Sequence, residues 1–297
     1  MAQKKETVFQ LEVPPTAKIL HRDKVPDDYH CECEHCTNFM GEMFDTTVNK
    51  AYSNVARKRY LPKPPKSSAL MHNNPGQFVG YRWAIQNLTE EGDLVFDPTV
   101  GTGTAIFEAE NNGRRGIGVE LEFPDSTRFY CEGRGTVIEG NTLDVNPEDF
   151  LEKESIQLLV NGTPYPVIGG SSSSDAYMTS NKDATYYGDY KDPNNIGKWK
   201  VPEFRNRIHE MYTKYVPYMK VGGYMAIIIK DPTNNKKPFN LHKMIVDNVL
   251  ENNPNLQHHG FFVHLHTPPT MFMRTYEKRF GIKPPAYQTG IVLKKTI

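Results

Sequence analysis

The 297 residues carry 35 Lys+Arg against 35 Asp+Glu, with 38% hydrophobic residues, 22 Gly, 22 Pro and four Cys. That length supports one large domain, or one domain with an extension, and the modest apolar share fits a soluble, loop-rich chain. No apolar run nears the roughly 18–20 residues of a membrane span, the first residues lack the apolar core of a secretion signal, and formal neutrality leaves room for charge segregated onto one nucleic-acid-binding face.

Residues 1–70 read as an irregular N-terminal extension. Within 30–36, Cys31, Cys33 and Cys36 place three thiols in six residues. In a cytosolic chain such clustering suggests metal more than disulfides. Thiolates at this spacing close around a structural zinc if a fourth ligand arrives, from His21, His30, His35 or Cys131. The plainer alternative is a set of free cysteines in a flexible arm. A helical stretch is expected at 49–58. The run at 57–66 holds five positive charges, with Tyr60 and three prolines among them. Its prolines favour extended backbone. It reads as a phosphate contact or as a solvated linker.

Regular structure is expected from about residue 72, in a domain spanning 71–297. Strands are expected at 94–98, 116–121, 136–140, 156–160, 223–230, 261–266 and 288–294. Helices are expected at 104–112, 205–219 and 241–252. Alternating strands and helices argue for a parallel sheet with helices on both faces. Continuous apolar runs fit strands buried on both sides. The last two strands follow one another across a long loop without a full helix between them, which an antiparallel insertion at the sheet edge explains. The fold class is α/β: a Rossmann-like, seven-stranded, mostly parallel sheet.

Three motifs mark a binding crevice. His72-Asn73-Asn74-Pro75-Gly76-Gln77-Phe78 precedes the first strand. Asp97-Pro98-Thr99-Val100-Gly101-Thr102-Gly103-Thr104 forms a glycine turn between the first strand and the first predicted helix. Gly118-Val119-Glu120 ends the second strand. Gly101 and Gly103 let backbone N–H groups approach a ligand at a helix N-terminus. Asp97 stands where it meets an amino group, Glu120 where it accepts from ribose hydroxyls, and Asn141 where it contacts a base edge. The turn lacks the third glycine of a dinucleotide fingerprint and the lysine of a P-loop, which disfavours NAD and ATP.

These motifs, in this order, resemble the S-adenosylmethionine-dependent amino-methyltransferases of DNA. The family's glycine motif reads Asp-Pro-Phe-x-Gly-Ser-Gly-Thr. A subset carries an upstream His-x-Tyr-Pro-Gly-Lys-Phe, against which this chain has Asn74 for Tyr and Gln77 for Lys. The resemblance covers about residues 70–295. It implies seven strands with the last antiparallel, S-adenosylmethionine as cofactor, and DNA as partner. It also implies cofactor contacts from His72, Phe78, Asp97, Thr99, Gly101, Gly103, Thr104, Glu120 and Asn141, and a cytoplasmic or nucleoid-associated protein.

The family's reaction motif is a polar residue followed by Pro-Pro-Tyr at the end of the fourth strand. The polar side chain and a backbone carbonyl accept hydrogen bonds from the target amine, and the aromatic ring stacks on a base rotated out of the duplex. This chain has Asn161-Gly162-Thr163-Pro164-Tyr165 there. Pro164 and Tyr165 match, Thr163 replaces the first proline, and Gly162 replaces the polar residue. Asn161 is one position early, and a one-residue shift on a strand turns a side chain to the opposite face unless a bulge re-aims it. Asn161, Pro164 and Tyr165 are the catalytic candidates. Residues 166–202, rich in Ser and Tyr, read as a lid over the target or as a surface insertion. The region is short for a full recognition domain, so sequence specificity falls elsewhere or to a protein partner.

Two functions follow. One is methyl transfer to adenine N6 or cytosine N4 of DNA, with RNA or a small amine as a weaker alternative acceptor. The other is a methyltransferase-like fold that has lost its chemistry and binds nucleic acid, or serves as a scaffold, within a complex.

Overall fold

The computed structural model describes residues 78–101, 103–121, 131, 133–166, 195–229, 233–234, 237–238, 241–265 and 287–297. The extension at 1–70, with its three clustered cysteines and basic run, lies outside these residues. So does His72, and so does most of the expected lid.

Among the described residues, seven strands form one sheet. They are β1 (Leu94–Asp97), β2 (Arg115–Glu120), β3 (Thr136–Glu139), β4 (Ile156–Asn161), β5 (Met219–Ile229), β6 (Leu256–Leu265) and β7 (Tyr287–Lys295), in the order β3-β2-β1-β4-β5-β7-β6. β1 pairs in parallel with β2 and β4, β2 with β3, and β4 with β5. β7 runs antiparallel to both β5 and β6. The antiparallel strand therefore lies one position inside the sheet, with β6 at the edge, rather than at the edge itself. The Rossmann-like architecture expected from the strand pattern is the one observed. Strand order reverses beside β1, between β1 and β4, which opens a crevice at the strands' carboxyl ends.

Among the described residues, four α-helices of eight or more residues flank the sheet: α1 (Phe78–Leu88), α2 (Thr104–Asn111), α3 (Val201–Tyr215) and α4 (Leu241–Asn252). On one face, Ala84, Ile85 and Leu88 of α1 and Ala105 and Ala109 of α2 pack with Val95, Leu158, Val160 and Ile228. On the other, Phe204, Ile208, Met211, Tyr212 and Tyr215 of α3 and Ile245 and Val249 of α4 pack with Phe96, Leu159 and Ile227. The α3 set recurs at three- and four-residue steps, as a single apolar stripe requires. α3 starts four residues before the expected position 205. Pro202 sits in its first turn, where a missing N–H costs nothing. β6 begins at Leu256, well before 261, because its first turn-out of the helix carries polar Gln257, His258 and His259 on an edge strand.

α1 is an addition to the sequence expectation, and it is fixed by a buried ion pair. Arg82 donates from Nε to Glu108 Oε2 at 2.6 Å and from Nη2 to Oε1 at 2.9 Å, joining α1 to α2. Both residues are buried. Burial raises the Glu108 carboxyl and the guanidinium pulls it back down. Breaking such a pair strands a buried charge. Arg82→Met is expected to cost about 3–5 kcal/mol in urea unfolding, and Arg82→Met with Glu108→Leu to recover most of it; a single variant as stable as the parent contradicts this account.

Candidate functional site

The glycine turn joins β1 to α2 and sets the floor of the crevice. Gly101 has φ +57° and Gly103 φ +92°, both in the left-handed region that favours glycine. Gly103 caps α2, and its N–H donates to the Val100 carbonyl at 3.0 Å. The Val100 N–H donates to the Val119 carbonyl at 2.9 Å, tying the turn to β2. Gly118 is fixed by space. A Cβ there would lie 2.2 Å from Val100 Cγ2 and 2.6 Å from the Asp97 carbonyl oxygen. This is why the second strand's motif needs glycine two residues before Glu120.

Glu120 ends β2, half-buried, and its Oε2 accepts from the Gly101 N–H at 2.5 Å. One N–H of the turn is thus held by the acid expected to meet a ribose. Asn141 is buried just past β3, and its Oδ1 accepts from the Leu143 N–H at 2.9 Å. Thr104 is buried in the first turn of α2. Phe78 opens α1, on the element that lies over this end of the sheet.

The centre of the site is Asp97, 1% exposed at the end of β1. Its Oδ1 accepts from Asn161 Nδ2 at 2.9 Å and from the Thr99 N–H at 3.0 Å. Asn161 Nδ2 also donates to Thr99 Oγ1 at 2.7 Å. Asn161 Oδ1 accepts from the Tyr212 hydroxyl at 3.0 Å. Since a hydroxyl has one proton, Thr163 Oγ1, 2.5 Å from the Tyr212 oxygen, must be the donor of that pair. One hydrogen-bonded line therefore runs from Thr163 through Tyr212 and Asn161 to Asp97. It links the reaction motif, α3 and the glycine turn.

The strand alternation separates Asn161 from Gly162. Leu159 packs on the α3 side and Leu158 and Val160 on the α1 side. Asn161, next in the alternation, reaches Tyr212 of α3. Gly162 meets α1 instead: a Cβ there would lie 2.3 Å from the Tyr81 hydroxyl oxygen. β4 does shift register, but between Ile156 and Leu158, at the far end from the motif. No bulge re-aims Asn161. Its amide is engaged by Asp97, Thr99 and Tyr212. Pro164 and Tyr165 follow, both half-buried, with Tyr165 against the α3 core.

Sequence reasoning did not single out Tyr81 or Tyr212. Both are buried, and both phenols are held above their ordinary range, chiefly by burial. Asp97 acts electrostatically on each. Only the three-dimensional packing of α1 and α3 brings them to the strand end, although an unassigned tyrosine on an otherwise apolar helix face was a signal.

Cys131 packs with Val100, Ile106 and Phe107 beneath the turn, and burial pushes its thiol up to about 12. Among the described residues no group of three or more His, Cys, Asp or Glu is arranged to hold a metal; Cys31, Cys33 and Cys36 lie outside them.

No protein-family model matches the chain, and no curated protein matches it. Among solved structures it is similar to a SAM-dependent methyltransferase from Archaeoglobus fulgidus, at 13% identity over 82% of this chain and 100% of that one, with TM-score 0.45. It is similar to an rRNA methylase from Streptococcus thermophilus, at 12% identity over 75% and 98%, with TM-score 0.41. It is also similar to a Pyrococcus horikoshii protein whose assignment as a transferase is provisional, at 11% identity over 76% and 65%, with TM-score 0.42. The chain thus spans about two thirds of that last protein. These likenesses are in fold alone, and the strand order above stands on its own pairings.

Burial pushes the Asp97 carboxyl up to about 7, against the opposing pull of the Asn161 and Thr99 hydrogen bonds. An unfolded aspartate ionises near 3.9. Between about pH 4 and pH 7 the folded chain holds a proton that the unfolded chain releases, so stability falls as pH rises, by up to about 1.4 kcal/mol per pH unit. Above pH 7 this contribution is constant. Asp97→Asn keeps both hydrogen bonds and removes the proton; urea unfolding across this window is expected to lose the slope, and an unchanged slope contradicts the assignment.

Proposed function

We propose that the chain binds S-adenosylmethionine across the carboxyl ends of β1 and β2 and transfers its methyl group to an exocyclic amine of a DNA base, adenine N6 or cytosine N4. The observation that carries this reading is the hydrogen-bonded line from Asp97 to Thr163. It holds a cofactor-facing carboxyl and a target-facing loop in one rigid piece.

The residues present fit the cofactor. Asp97 Oδ1 is occupied by two donors, while Oδ2 accepts none among the described residues, which suits an ammonium group. Gly101 and Gly103 hold the turn in the left-handed conformation that brings backbone, with no side chain on it, to the crevice. Glu120 stands at the end of β2, where ribose hydroxyls are recognised in folds of this kind. When bound, the sulfonium supplies an activated methyl group, so the protein has only to position the amine and exclude water. Tyr165 supplies an aromatic face for the base, and Pro164 stiffens the backbone beside it. RNA is the alternative acceptor, and a partner protein the source of sequence specificity.

One observation favours a second reading, a cofactor-binding subunit without chemistry. Gly162 has no side chain where the resembled enzymes carry a polar one, and Asn161 is committed elsewhere.

Calorimetry with S-adenosylmethionine followed by labelled methyl transfer to mixed DNA and RNA separates these readings. The expected result is binding, and label appearing in DNA. Tyr165→Ala is expected to abolish transfer with cofactor affinity kept within about twofold, since it removes only base stacking. Binding without transfer selects the second reading; absence of binding ends both.

A further inference from the structure

The space left by the missing side chain at Gly162 is not empty. Tyr81, from α1, puts its hydroxyl there: a Cβ on residue 162 would lie 2.3 Å from Tyr81 Oη and 3.5 Å from Cζ. Real Cβ atoms are not found at the first distance, so residue 162 and the Tyr81 hydroxyl compete for one position. Tyr81 is 6% exposed and packs in the core beneath α1 with Val160, the residue that shares its face of β4. A tyrosine so held has its ring fixed. Asp97, Tyr212 and Tyr165 are all close enough to act on its phenol. The hydroxyl thus sits where the cofactor strand, the reaction motif and the aromatic residue of that motif converge.

We propose that the Tyr81 hydroxyl replaces the polar side chain missing at position 162 and accepts a hydrogen bond from the amine that receives the methyl group. The inference rests on the methyl-transfer reading and deepens it. Its chemistry needs no base. The amine nitrogen's lone pair forms the N–C bond while the C–S bond breaks, both electrons of that bond passing to sulfur. The nitrogen, now positively charged, loses one proton to water. Before that step an acceptor on the N–H directs the lone pair at the methyl carbon. A neutral phenol does this through its oxygen. Burial keeps Tyr81 in its neutral form, consistent with an orienting acceptor rather than a proton-abstracting group. The Gly162 backbone lies close enough to act on the Tyr81 phenol, and a phenol oxygen carries two acceptor lone pairs, enough to take an arriving amine N–H as well.

The same geometry supplies the test. Tyr81→Phe removes only the oxygen. Gly162→Ser alone forces a Cβ against the Tyr81 hydroxyl and is expected to lower the melting temperature. With Phe at 81, the nearest ring atom to that Cβ is Cζ at 3.5 Å, an ordinary contact, so Y81F/G162S is expected to fold and to carry a hydroxyl at the position the resembled enzymes use. Methyl transfer to DNA and calorimetric cofactor affinity are measured for the parent and these variants. Y81F is expected to lower kcat about tenfold or more, the equivalent of one hydrogen bond, with cofactor affinity within about twofold. Y81F/G162S is expected to regain part of that loss. Y81F as fast as the parent overturns the role of Tyr81 alone. Y81F/G162S no faster than Y81F overturns the equivalence of the two positions. A parent chain that transfers no methyl group overturns the methyl-transfer reading, and this role with it.

Discussion

The arrangement depends on one buried carboxyl. Asp97 lies at the strand end, shielded from water, and a carboxyl there is costly to ionise unless donors meet it. Asn161 and the Thr99 N–H meet it. Their demand fixes much else. Asn161 must point toward β1 and α3, so Tyr212 has to bring a hydroxyl to its oxygen. Thr163 must then donate to Tyr212. The backbone after β4 is held in place by this requirement as much as by its prolines. A polar network of this kind is worth having only when every member is satisfied, and here each donor named has an acceptor.

The two faces of the sheet differ at the end of β4. On the α3 face Asn161, Tyr212 and Thr163 tie the loop after β4 to the glycine turn. The α1 face carries the open position: Gly162, with the Tyr81 hydroxyl in place of a side chain. Reading the motif residue by residue along the chain assigns the polar role to Asn161. Reading it in space assigns Asn161 to positioning and moves the question to Tyr81. The ion pair of Arg82 with Glu108 then matters to the site as well as to stability, because it anchors the helix that carries Tyr81 one residue away.

Much of the fold was legible in the chain. The runs of β1, β4 and β5 are apolar because both faces are covered, and they fall close to where the sequence puts them. Glycines at 101, 103 and 118 mark the turn because nothing larger fits or bends there. Other features were hidden by long-range partners. α1 escaped notice because Arg82 looks like a surface residue until Glu108, 26 positions on, is seen to meet it. Pro202 reads as a breaker, and only its place in the first turn of α3 shows otherwise. The polar start of β6 follows from its edge position, which pairing alone reveals. In the site, Asp97, Glu120 and the turn were readable as a motif; the direction of Asn161 was not, because it depends on where β4 shifts register.

The central claim is that the Asp97–Asn161 hydrogen bond couples the proposed S-adenosylmethionine crevice to the loop after β4. Asn161→Leu keeps the bulk and removes both sides of the link, leaving Asp97 and Tyr212 without their shared partner. Calorimetry of S-adenosylmethionine binding to this variant, with its fold checked by circular dichroism, is the direct measurement. The account predicts affinity weakened by about tenfold or more, as loss of a buried hydrogen bond implies. A folded variant that binds the cofactor as tightly as the parent contradicts it.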